Sequence, residues 1–176
     1  MGARAPLYAR PMQRPLDPAR VGDHLDRLYR AAWALCGSRE DAEDLVQETY
    51  ARVLARPRLL RNDDDLGYLL RALRNTFLNQ KRSESRRLRT ASLPDELDVI
   101  PDPQAREPHA ALEAGELYAA IAALPADFRD VLVAVDVTGL TYEEAARALR
   151  IRTGTVMSRL YRARQQVVRR IDSPRD

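Results

Sequence analysis

The chain has 176 residues, 45% of them hydrophobic, with 29 basic and 26 acidic side chains and a net charge of +3. That is enough apolar material for one or two small domains. The single cysteine, Cys36, excludes an internal disulfide and a cysteine metal cluster, and no apolar run approaches the ~20 residues of a membrane span.

Only His24 and His109 accompany Cys36 as metal-ligating candidates of that type, so no metal site and no cofactor are expected, and the thiol is expected to pack. The opening "MGARAPLYARPMQRPLDP" carries arginines and prolines without the apolar core of a secretory signal. It reads as a disordered tail over residues 1–17, and the expected location is the cytoplasm.

Asp17-Pro18 then gives a helix start with proline at the first position, and Val21, Leu25, Leu28, Ala32 and Leu35 recur at helical spacing until Gly37. Ser38 with Asp41 resembles a capping box for a second helix. Its apolar side is Ala42, Leu45, Val46, Thr49 and Val53, and Pro57 ends it. The triplet Asp63–Asp65 can cap a third helix bearing Leu66, Leu69, Leu70, Leu73, Phe77 and Leu78. These three helices predict one domain over 18–90. The stretch 91–108 holds "LPDELDVIPDPQAREP", with four prolines and five acids, and reads as an acidic extended linker.

Helical spacing resumes over 109–172. Leu112, Leu117, Ile121 and Leu124 line one face. Pro125 restarts the chain for Phe128, Val131, Leu132 and Val135, and Gly139 breaks it. "TYEE", Thr141 to Glu144, is a capping box for a short helix through Leu149, and Thr153 can cap a last helix running to about Ile171. Residues 173–176 form a tail. No strand-like alternation is present, so the predicted fold is all-α: two small helical domains, the second with a helix-turn-helix.

Charge is unevenly placed. Between Arg39 and Glu48 there are five acids and one arginine; between Arg147 and Arg170 there are eight arginines and no acid. Two separate partners are implied. In the last helix Val156, Leu160, Ala163 and Val167 repeat as an inward face. Thr155, Met157, Ser158, Arg159, Tyr161, Arg162 and Arg164 are left outward or flanking, where arginines read guanine or hold phosphates. A solvated basic helix is the plainer alternative.

The stretch "LPADFRDVLVAVDVTGLTYEEAARALRIRTGTVMSRLYRAR" resembles the C-terminal promoter-binding region of extracytoplasmic-function sigma factors of the sigma-70 family. "REDAEDLVQETYARVL" looks like that family's polymerase-binding helix, and "YLLRALRNTFLNQKR" like its promoter-melting helix. Within the family, "EDLVQETYA", "NTFLN" and "GTVMSRL" are most similar to the subgroup that handles thiol-oxidative stress. The sequence departs from the usual pattern at four places: Arg150 and Arg152 in a turn that usually holds glycine and proline, Tyr68 for tryptophan, Asn79 for aspartate, and three carboxylates at Asp63–Asp65.

The resemblance implies a division of labour. Asp44, Gln47 and Glu48, at i, i+3 and i+4, would dock on the beta-prime clamp of core RNA polymerase. Arg71, Arg74, Asn75, Asn79, Lys81 and Arg82 would bind and help melt the −10 element, with a flipped base received by the loop from about Arg56 to Asp65. Arg152, Thr153, Thr155, Met157, Ser158, Arg159, Arg162 and Arg164 would read the −35 element, beside a contact of the same domain with the beta flap. The linker would run in the polymerase channel or act as a spacer. A separate anti-sigma factor is an expected partner and membrane insertion is not. No phosphate-binding loop, metal motif or nucleophile elbow is present, so an enzyme is not expected. The rival reading is a DNA-binding regulator that acts without polymerase.

Overall fold

The computed structural model describes residues 13–56, 59–61, 64–90 and 109–172. Its first helical elements are α1 (Pro18–Val21), a 3-10 turn at Gly22–His24 and α2 (Leu25–Cys36), where the sequence predicts one unbroken helix. Glycine costs about 1 kcal/mol in a helix interior, and the regular α geometry gives way at Gly22. The tighter turn shifts the phase of the apolar face. Val21 and Leu28 reach the core, but Leu25 is 47% exposed. Gly37 ends α2 in the left-handed conformation, φ 83°, with its N–H donating to the Trp33 carbonyl at 2.7 Å.

The next two helices follow the sequence pattern closely. Ser38 Oγ accepts the Asp41 N–H at 3.1 Å and starts α3 (Arg39–Ala55), whose Ala42, Leu45, Val46, Thr49 and Val53 are all buried. In α4 (Asp65–Thr90), Leu66, Leu69, Leu70, Leu73 and Phe77 are buried and Leu78 is half-buried. Of the three carboxylates expected to cap this helix, Asp64 accepts the Gly67 N–H. A Cβ on Gly67 would lie 2.3 Å from Asp64 Oδ1, so only glycine fits there in this arrangement. Asp65 is buried within reach of Arg20, at 3.8 Å, and Asp63 lies outside the described residues.

Two short strands, β1 (Gln13–Pro15) and β2 (Leu59–Arg61), pair antiparallel with Arg14 opposite Leu60. Three residues are too few to show a period of two, so the sequence carries no signal for them. The ribbon corrects the expected disordered tail for residues 13–17, where Leu16 is buried against the core; residues 1–12 lie outside the described residues. The predicted linker, 91–108, and tail, 173–176, also lie outside them.

The second set of helices begins with α5 (His109–Ala122), followed by α6 (Ala126–Leu132) and a π turn over Val133–Val137. The sequence does not announce that widened turn. It ends with the Thr138 N–H donating to the Val133 carbonyl at 3.0 Å, and with Gly139 at φ 75°. The helices α7 (Tyr142–Leu149) and α8 (Thr153–Asp172) complete the chain. Ala145, Ala146, Val156, Leu160, Ala163 and Val167 are buried between these elements as expected. Leu117, expected inside, is 39% exposed.

The two helical sets pack against each other. Helix α2 lies between α3 and α4 on one side and α5 with the π turn on the other, and α7 rests on α4. The Trp33 and Tyr118 rings are 4.5 Å apart across this junction.

Candidate nucleic-acid and polymerase interface

The helix-turn-helix is fixed first by its start. Thr141 Oγ1 accepts the Glu144 N–H at 3.3 Å, and Glu144 Oε2 accepts the Thr141 N–H at 2.8 Å. The box is complete, and these hydrogen bonds hold the Glu144 carboxyl below its usual pKa. Helix α7 ends at Arg150, which is left-handed at φ 58° although it carries a side chain. The Arg150 and Ile151 N–H groups both donate to the Ala146 carbonyl, the latter at 3.1 Å. The turn therefore has the geometry that usually selects glycine.

Thr153 does not cap α8. The Thr155 and Val156 N–H groups donate to the Arg152 carbonyl at 2.9 and 3.1 Å, so Arg152 stands at the cap and Thr153 is the first helical residue. From there Met157, Ser158 and Arg162 are exposed, while Thr153, Thr155 and Arg159 are half-buried. The Ser158 hydroxyl donates to the Thr155 carbonyl at 3.2 Å. Arg162 has no ion-pair partner among the described residues.

Two arginines of this face are held by acids that the sequence reading does not connect to them. Arg159 Nη2 lies 2.7 Å from Asp127 Oδ2. Arg164 makes a fork to Asp136, with Nε to Oδ2 at 2.9 Å and Nη2 to Oδ1 at 2.7 Å, which raises its pKa further. The block is free of acid within its own helix, but α6 and the π turn supply the counter-charges. Such pairs near the surface hold orientation more than they stabilise.

On α4, Asn75, Asn79, Lys81 and Arg82 are exposed. Lys81 Nζ lies 2.9 Å from Glu84 Oε2 and 6.0 Å from the centre of the Phe77 ring. Arg71 and Arg74 are placed differently. Arg71 Nε donates to the Ala148 carbonyl at 3.2 Å and its Nη2 to the Arg147 carbonyl at 3.4 Å. Arg74 Nε lies 2.6 Å from Asp130 Oδ2, and the Asp130 side chain is 7% exposed. Both partners belong to the second helical set. The Asp64 carboxyl lies in the same region: burial raises its pKa, and Arg147 and Arg71 oppose the rise.

On α3, Asp44 and Gln47 are exposed on one edge. Glu48, grouped with them by spacing, turns toward α4. Its Oε2 accepts from Gln80 Nε2 at 2.6 Å and its Oε1 pairs with Arg52. The edge thus presents two free polar groups and one engaged carboxylate. Cys36 packs nearby, in a shallow cleft with Asp41, Asp44 and Phe77, and burial pushes its thiol pKa up to about 11.

Two family models match the chain: "Sigma-70 region 2" over residues 21–87 and "Sigma-70, region 4" over residues 114–167. The chain is 39% identical over 150 residues to "ECF RNA polymerase sigma factor SigE" of Mycolicibacterium smegmatis, an alignment covering 84% of this chain and 58% of that protein. It is 35% identical over 139 residues to "ECF RNA polymerase sigma factor EcfG" of Rhodopseudomonas palustris, covering 77% of this chain and 74% of that one. Among solved structures it resembles the sigma factor RpoE crystallised with the anti-sigma factor NepR from Bartonella quintana, with a TM-score of 0.67 and 25% identity over 89% of this chain and 97% of that one. The order of the two matched regions, their register on the helices described above and these relatives lead to one conclusion: the chain belongs to the extracytoplasmic-function sigma factors of the sigma-70 family.

Proposed function

We propose that this chain directs promoter-specific transcription initiation by core RNA polymerase, with the work divided over three helices. Helix α8 enters the major groove of the −35 element through Arg152, Thr153, Thr155, Met157, Ser158, Arg159, Arg162 and Arg164. Helix α4 takes the −10 element through Arg71, Arg74, Asn75, Asn79, Lys81 and Arg82, whose cations hold phosphate while the amides reach base edges. Helix α3 docks on the beta-prime clamp through Asp44 and Gln47, and Glu48 braces α3 on α4 behind them. The beta flap meets the second helical set.

The observation that carries this reading is the coexistence of a fully capped helix-turn-helix with a matched region 2 helix bearing its own basic and amide face. A DNA-binding regulator that acts without polymerase has no use for the exposed Asp44 and Gln47 edge of α3 that accompanies them. Recognition and strand opening are the chemistry of this chain, and bond making belongs to the polymerase. The proposed location is the cytoplasm, on the nucleoid once in holoenzyme. No helix among the described residues is long and apolar enough to cross a membrane. A separate anti-sigma factor is the proposed inhibitor, in keeping with the complex in which the RpoE relative was crystallised.

Run-off transcription with purified core polymerase on a genomic fragment library tests the function. Discrete, chain-dependent starts are expected. DNA binding without any polymerase-dependent start would return the regulator reading. Asp44→Arg tests the docking edge, because Asp44 has no role in bracing α3. Weakened core binding at unchanged helix content is the expected result, and unchanged affinity would remove Asp44 from the interface.

A further inference from the structure

The turn between α7 and α8 carries two cations that the fold itself does not use. Arg150 and Arg152 are exposed, while Ile151 between them is half-buried against the core, so both arginines lie on the solvent side of the turn. Neither guanidinium has a hydrogen-bond or ion-pair partner among the described residues. On α8 itself the situation differs, because Arg159 and Arg164 are engaged by Asp127 and Asp136. A phosphate that approaches those two must displace a carboxylate or share the arginine with it. At Arg150 it meets a guanidinium with no carboxylate to displace.

Arg150 is also the one non-glycine residue with a positive φ among the described residues, at 58°. The turn needs that conformation, since it lets the Arg150 and Ile151 N–H groups both donate to the Ala146 carbonyl as α7 ends. Glycine would adopt it without strain, and asparagine or aspartate could bond locally there. Arginine can do neither. A strained residue persists where something over-determines it, and no contact of this side chain within the described residues does so. The compensation therefore comes from outside the chain, and the guanidinium is the group available to receive it.

The position fits one class of partner. In a helix-turn-helix the first helix crosses the DNA backbone and the start of the second enters the major groove. The turn between them passes beside the sugar-phosphate strand at the edge of that groove. Arg150 stands three residues before Thr153, the first residue of α8, where a side chain meets phosphate before it meets a base edge.

We propose that Arg150 is a further DNA contact of this chain: its guanidinium binds a backbone phosphate at the edge of the groove that α8 enters, so that a turn strained in the free chain is matched by a sequence-independent contact in the complex. This rests on the assignment of α8 to the −35 duplex. The contact gives stability and binding opposite signs at one residue. Glycine at position 150 relaxes the turn and removes the phosphate ligand together.

The test titrates the full chain onto a fluorescein-labelled duplex of ~20 base pairs of mixed sequence across a salt series, since a phosphate contact acts on every sequence. Arg150→Gly is expected to weaken binding about five- to tenfold at about 0.1 M salt and to lower the salt slope by about one, the share of a single phosphate. Its denaturation midpoint should rise at the same time. Arg150→Lys keeps the charge and the strained conformation, and should retain the slope without that rise. Arg170→Gln removes the same charge from the exposed far end of α8, about 25 Å along the helix from Thr153, and should leave the slope nearly unchanged. Equal losses for Arg150→Gly and Arg170→Gln would reduce the effect to net charge and overturn the contact. Arg162→Ala in the same titration separates this contact from the assignment beneath it. A slope lowered by Arg162→Ala and untouched by Arg150→Gly leaves α8 in the groove and overturns the Arg150 contact alone. A slope untouched by both takes α8 off the DNA and the Arg150 contact with it.

Discussion

Arg150 carries a side chain where the turn requires φ 58°. A β-carbon in the left-handed region costs roughly 1–2 kcal/mol, and glycine avoids that at some cost in unfolded-state entropy. Arg150→Gly is expected to stabilise the chain by about 1 kcal/mol, read as a rise in the denaturation midpoint. Destabilisation would mean that the arginine side chain contributes more than the turn strain costs. The same scale settles Cys36. Its thiol pKa is raised from 9.0 to about 11 by burial first and by Asp41 second. The folded state thus favours the neutral thiol. That contribution to stability is complete below the ordinary value of 9.0 and is lost as pH rises through about 11. At neutral pH the thiolate is scarce, and the thiolate is the reactive form. Iodoacetamide labelling followed by mass spectrometry should therefore be slow at neutral pH, its logarithmic rate still rising through pH 9.0. A plateau below that value would contradict the burial argument.

Among the elements, helix starts were legible because capping is local chemistry. Ser38, Asp64 and Thr141 each accept an N–H within three residues, which a sequence displays directly. The π turn was hidden, since no residue pattern distinguishes it from the α-helix it extends. Thr153 is not the cap because α8 starts one residue earlier than its hydroxyl suggests, with Arg152 at the cap position and its carbonyl accepting the first intrahelical bonds. The acids that hold Arg159 and Arg164 were invisible for another reason: Asp127 and Asp136 are local in space and remote in sequence. Their arrangement sharpens what α8 should do on DNA. Arg162 has no ion-pair partner to lose among the described residues, so Arg162→Ala should weaken specific and scrambled duplexes alike and lower the salt slope by about one. Arg159 is aimed by Asp127 and half-buried. Arg159→Ala should cost about 1–3 kcal/mol on the specific duplex and little on the scrambled one. Binding titrations of both variants across a salt series check the pair. Equal losses on the two duplexes would make Arg159 a backbone contact.

For the whole molecule, two apolar patterns separated by an acidic stretch predict two helical domains, and each pattern does form helices, over 18–90 and over 109–172. That they lie against each other was not legible, because the small apolar residues of α2 beyond its main face, such as Ala31 and Ala34, are buried in one core with the second set but mark no separate stripe in the sequence. The polar and aromatic contacts across the junction include the Trp33–Tyr118 pair, the Arg129 guanidinium on the Phe77 ring, the Arg74 ion pair and the Arg71 hydrogen bonds to the Ala148 and Arg147 carbonyls. Trp33 is the chain's only tryptophan and sits at that junction, so it reports on it directly. Its ring meets Tyr118 at 4.5 Å on the side of the second set and the Arg39 guanidinium at 4.5 Å from its own set. An aromatic pair contributes about 0.5–1.5 kcal/mol beyond the area it buries. Tyr118→Ala should therefore shift Trp33 emission to longer wavelength and increase its quenching by iodide, with helix content by circular dichroism unchanged. Salt should produce a smaller shift of the same sign in the unsubstituted chain by loosening Arg74 from Asp130, and should add little once Tyr118 is gone. Additive shifts from salt and substitution would mean that the charged and aromatic contacts close independent motions, whereas a saturating response is what a single opening predicts.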